Sequence, residues 1–98
     1  MPQLVRNIYA EDRKKLSDDI IMNYKGKVIS IERLNSATCW AVLSPELTNT
    51  QIVEIAENIG HYIRNATGEK LTVRVFVNGT HAALARPSGK KYIASLKK

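Results

Sequence analysis

The chain has little cysteine, little aromatic content and no long apolar run. Its single cysteine, Cys39, excludes an internal disulfide. That fits a reducing compartment, so a cytoplasmic location is expected. No apolar stretch approaches the roughly 18 residues that span a bilayer, so no membrane span is expected. Met1 to Ala10 mixes polar and apolar residues without a signal-peptide pattern. The glycines at 60, 68, 79 and 89 are isolated from one another, which excludes a glycine-rich phosphate loop. Cys39, His61 and His81 share no ligand spacing such as C-x-x-C or H-x-x-x-H, so neither a metal nor a cofactor is expected. The carboxylate pairs Glu11-Asp12, Asp18-Asp19 and Glu54/Glu57 read as solvating charge. With no base placed beside Cys39, the chain is expected not to be an enzyme.

What is present is positive charge, unevenly spread. The net charge is +6 over 98 residues. Residues 60–98 hold eight lysines and arginines against one glutamate, whereas residues 1–59 are nearly balanced. A basic half of this kind favours an anionic partner, such as nucleic acid or an acidic protein, or serves only solubility. The length suits one domain covering residues 1–98.

The clearest local pattern runs from Leu47 to Gly68. Thr48 and Gln51 have capping-box spacing, and Leu47 and Ile52 are placed for a hydrophobic staple. Ile52, Ile55, Ala56, Ile59, Ile63 and Ala66 recur at helical spacing on one face. Gln51, Glu54, Glu57, Asn58, His61 and Arg64 take the other, and Gly68 can end the helix. Gly60 lies inside this helix at a cost of up to ~1 kcal/mol relative to alanine. Its expected use is close approach to a strand or to a second chain. Glu11 to Asn23 reads as a second helix with Leu16, Ile20 and either Ile21 or Tyr24 as its apolar stripe. Ile20 to Tyr24 as a strand is the rival reading. Gln3 to Tyr9 fits either a helical turn or a short strand.

Two hairpins complete the pattern. In Lys27 to Leu43, a two-residue turn at Asn35-Ser36 would set Ile31 opposite Trp40 and Ile29 opposite Val42, all four on the core face. In Lys70 to Arg86, Asn78-Gly79 is a strong hairpin turn. It would set Val77 opposite Thr80, Val75 opposite Ala82 and Val73 opposite Leu84 on the core face. Arg74, Phe76, His81, Ala83 and Ala85 would lie on the reverse face, with Ser30, Glu32, Cys39 and Ala41. Arg86 to Gly89 is a turn, and Lys90 to Lys98 is either a short closing element or a flexible basic tail.

The expected fold is therefore α+β, a small single domain in the order α-β-β-α-β-β. Its sheet is four-stranded and mainly antiparallel, with the helices packed on one face. If Gln3 to Tyr9 is a strand, a ferredoxin-like β-α-β-β-α-β order plus an extra strand is the alternative. The expected function is a non-catalytic interaction module that self-associates as a homo-oligomer through the uncovered sheet face or an edge. Arg74, Phe76 and His81 are the candidate interaction residues. The alternative is a nucleic-acid-binding protein whose basic half presents Arg86, Lys90 and Lys91 to phosphates beside Phe76. Neither the RNA-recognition-motif consensus nor a GXXG loop is present.

Overall fold

Seven elements follow one another in the computed structural model, which describes residues 10–35 and 37–97. They are α1 (Ala10–Asn23), β1 (Val28–Leu34), β2 (Thr38–Leu43), α2 (Asn49–Thr67), β3 (Thr72–Val77), β4 (Thr80–Ser88) and β5 (Lys91–Leu96). The result is a small α+β fold with two helices and a five-stranded mixed sheet in the order β1-β2-β3-β4-β5.

The central helix forms as its sequence directs. The Gln51 N–H donates to Thr48 Oγ1 at 3.2 Å, and the Thr48 N–H donates to Gln51 Oε1 at 2.9 Å. Two orphan donors at the helix start are thereby satisfied. Gly68 closes the other end in a left-handed conformation, its N–H donating to Arg64 O at 2.7 Å. Ile52, Ile55, Ala56, Ile59 and Ile63 are buried against the sheet. Leu16 and Ile20 of α1 join the same apolar cluster, so both helices cover one face. The Tyr62 hydroxyl reaches Asp19 Oδ2 at 3.4 Å and ties the two helices together.

The sheet corrects the four-stranded, α-β-β-α-β-β expectation in two ways. First, Lys91–Leu96 is a fifth strand antiparallel to β4, so the closing-element reading of this segment holds and the basic-tail reading does not. Its Tyr92 and Ala94 turn inward between lysine-rich flanks. Second, β2 and β3 are parallel, because α2 carries the chain from the end of β2 back to its start before β3 begins. That pairing also bears on the ferredoxin-like alternative. A split β-α-β unit needs a strand between the two that flank the helix. Here β2 and β3 are directly hydrogen-bonded, so no strand intervenes. Gln3 to Tyr9, the segment on which that alternative turned, lies outside the described residues.

Both hairpin registers also differ from expectation. In the first, Asn35 Oδ1 accepts from the N–H groups of Ala37 and Thr38 at 2.7 and 2.9 Å. The Asn35 N–H donates to Thr38 O at 3.0 Å. Each residue of β1 next to the loop therefore pairs two residues later than expected, with Leu34 opposite Cys39 and Arg33 opposite Trp40. Irregularities between Val28 and Ser30 and between Ile31 and Arg33 then shift the pairing twice. Ile31 faces Ala41, Val28 faces Leu43, and Ile29 is left 57% exposed. In the second hairpin the Asn78-Gly79 turn forms, with φ of 53° and 77°, and Val77 pairs with Thr80 and Phe76 with His81 as expected. A bulge at Ala82 then places Ala83 opposite Val75 and Ala85 opposite Val73. Ala83 and Ala85, expected on the reverse face, are fully buried in the core. Leu84 moves to the face that, among the described residues, no helix covers, and it lies outside the core cluster.

A packing reason underlies these reversals. The middle of the covered face is built from small or medium side chains, Cys39, Ala41, Val73, Val75, Ala83 and Ala85, all fully buried, with Leu43 and Tyr92 buried beside them. Four isoleucines of α2 fill the layer between helix and sheet. Close packing leaves no volume there for an indole as well.

Candidate functional site

Because Cys39 and Ala41 point under the helices, Trp40 points the other way. This corrects its expected place in the core, and with it that of Val42. Trp40 stands on the uncovered face of the sheet beside Phe76, ring centroids 5.5 Å apart and tilted by 51°. His81 stacks on Phe76 at 5.2 Å and 29°. The Arg33 guanidinium lies over the Trp40 ring at 4.7 Å. Arg33, Trp40, Phe76 and His81 thus make a continuous row across β1, β2, β3 and β4. Trp40, Val42, Phe76, Glu32 and Arg33 line a shallow groove along it.

The interaction residues expected from sequence are brought together. Arg74 lies between Val73 and Val75, opposite Trp40 on one side and Leu84 on the other. Phe76 and His81 are in contact. The expected anion-binding residues are divided. Arg86 lines a second groove at the outer end of the sheet. Lys91 begins β5 on the same face as Ile93, while Lys90 sits in the β4–β5 turn, exposed and apart. Sequence reasoning missed Trp40 and Arg33. The cross-strand pairing of Arg33 with Trp40 is set by the loop that Asn35 closes, which is longer than the two-residue turn expected.

Local electrostatics distinguish the two faces. His81 is half-buried, and its Nε2–H donates to Ala83 O at 3.0 Å. Burial lowers its pKa below 6.5, the Ala83 hydrogen bond opposes that shift, and the positive charges of Arg74 and Lys97 add to it. On the covered face, burial pushes the Cys39 thiol up to about 12. A thiol so raised stays protonated near neutral pH and is a packing residue rather than a nucleophile. Among the described residues no group of three or more histidine, cysteine and acidic side chains is gathered to hold a metal ion.

The two edges of the sheet differ. Along β5, α2 supplies acceptors and a donor. The Tyr92 N–H donates to His61 Nε2 at 3.3 Å, and the Ala94 N–H donates to Glu57 Oε2 at 3.0 Å. Arg64 donates to Gly89 O at 2.7 Å. Glu57 and His61, expected on the solvated face of the helix, therefore seal a strand edge, and Arg64 from the same face holds the β4–β5 turn. Along β1 the two irregularities break the ladder, a device that discourages strand addition. Tyr92 itself lies across Gly60 and donates its hydroxyl proton to Leu71 O at 2.7 Å.

No family model, no curated protein and no solved structure matches this chain. Among the described residues no helix is long and apolar enough to cross a membrane.

Proposed function

We propose that this protein binds single-stranded nucleic acid across the uncovered face of its sheet. Bases would stack on Trp40 and Phe76, and phosphates would meet Arg33, Arg74 and Arg86. One observation carries the reading: two aromatic rings and a histidine stand in mutual contact on an uncovered sheet surface, with an arginine over the outermost ring. Flat rings accept any base, and each stacked base contributes about 1–3 kcal/mol. Guanidinium planes serve both as stacking partners and as phosphate donors. The concentration of positive charge in residues 60–98 supports the same ligand.

A homo-oligomer packed face to face is the second reading, and exposed apolar surface at Ile93, on the same face, favours it. The charge pattern disfavours it. Two copies of this face would set Arg33, Arg74, Arg86 and Lys97 against their equivalents, with Glu32 the sole carboxylate among the residues lining the two grooves. An acidic protein would satisfy the charge but not use the stacked rings.

The test is fluorescence anisotropy of a labelled single-stranded oligonucleotide at increasing salt. For about three phosphate contacts, log K against log salt should fall with a slope near −2. An oligonucleotide that fails to bind at low salt, while sedimentation shows a dimer, would transfer the surface to the second reading.

A further inference from the structure

We infer that the groove at the β4–β5 end of the uncovered face is a phosphate seat for the same nucleic-acid strand, so that the ligand crosses the β-strands instead of running along one of them. The seat rests on the nucleic-acid reading of the face. Its floor is the buried Leu84, and the exposed Ile93 stands beside it with Arg86, Ser88, Ser95 and Lys97. Two cations and two hydroxyls line the groove, and among the described residues no carboxylate does. That is the donor set for a phosphodiester, with an apolar floor that suits a sugar.

The groove at the other end differs in kind. It holds Trp40, Phe76 and Val42 with Arg33 and Glu32, which suits bases rather than phosphates.

The strand registers join the two grooves. Trp40 pairs with Arg74, Arg74 with Leu84, and Leu84 with Ser95, one residue from each of four adjacent strands. At about 4.8 Å per strand, Trp40 and Ser95 stand roughly 14 Å apart. A stacked single strand rising ~3.4 Å per nucleotide covers that span in about four nucleotides. Arg74 sits between the two ends, where a backbone making this crossing would pass.

The experiment combines oligonucleotide length with two variants. Wild-type protein, the double variant Arg86→Ser/Lys97→Ser and Trp40→Ala are titrated with a dinucleotide and with a six-nucleotide single strand. Circular dichroism confirms that each variant is folded. The double variant should bind the six-nucleotide strand about 10-fold more weakly, with a salt slope shallower by about 0.7 for the one phosphate that the seat holds. Its dinucleotide affinity should match wild type. Trp40→Ala should weaken both ligands. If the double variant binds the longer strand as tightly as wild type, or loses the dinucleotide equally, the seat is wrong while the stacking face stands. If wild-type protein binds neither ligand, the face and the seat fall together.

Discussion

The two faces of this sheet invert the usual relation between side-chain size and burial. The face under the helices is lined with cysteine, alanine and valine, and the isoleucines of α2 supply the bulk. The open face carries the largest side chains of the central strands, Trp40, Arg74, Phe76 and His81. Core volume is therefore provided from the helix side. The strands β2, β3 and β4 keep their large flat groups for the open face, whereas the edge strand β5 turns Tyr92 inward against Gly60.

That contrast separates stability from binding, and substitutions can break the separation. The largest effect is expected at Ile59, fully buried in α2. Ile59→Ala should destabilise the fold by about 2–5 kcal/mol in chemical denaturation, with binding intact wherever the protein remains folded. Next comes Gly60→Ala. A Cβ at this position would meet Tyr92 Cε2 and Cγ at 2.6 Å. The ring is pinned by its hydroxyl on Leu71, so it has little freedom to yield. Overpacking of about 1–3 kcal/mol should outweigh the helix-propensity gain of up to ~1 kcal/mol. A stabilised variant would show that the ring moves freely.

On the open face the ordering reverses. Trp40→Ala and Phe76→Ala should each cost about 1–3 kcal/mol of nucleic-acid binding by anisotropy, and should shift the unfolding midpoint less than Ile59→Ala does. A loss of stability equal to that of the core variant would erase the distinction between the faces.

The smallest effects are in pH dependence, and they sharpen the same comparison. His81 has a lowered pKa in the fold, so the unfolded chain takes up its proton first. Its contribution is fully present above about pH 6.5 and is lost as pH falls through the lower folded value. His81→Gln should flatten that acid limb in urea melts. Cys39 gives the opposite slope. Its thiol is raised from 9.0 to about 12, so stability should fall as pH rises between those values. At neutral pH it should resist a thiol reagent until the protein unfolds. Rapid labelling of native protein would place it at the surface.

Much of the fold was legible in the chain. Periodicity, capping box and terminal glycine defined α2, and Asn78-Gly79 defined the second turn. Strand facing was not legible, for a physical reason. Thr38 to Leu43 reads T-C-W-A-V-L, and Ala82 to Ala85 reads A-A-L-A; in both, alternate positions are apolar on either face. Polarity then gives no signal, and the choice passes to volume and to bulges, which depend on what packs above. Phe76 and His81 pair as expected because the Asn-Gly turn fixes their register before the bulge intervenes, and Arg74 shares the face of Phe76 by strand alternation alone. Trp40 and Arg33 were missed because theirs lies beyond an asparagine-closed loop. The sealing of β5 by Glu57 and His61 was hidden as well, since side chains on a helix flank look solvated until a strand arrives beside them.

Trp40 is the only tryptophan in the chain, so its emission reports on the open face alone. Titration with a single-stranded oligonucleotide at low salt should give a saturable change in that emission that added salt reverses. A spectrum that stays fixed under a large excess of oligonucleotide would mean that no base reaches the ring, and the open face would not be a nucleic-acid surface.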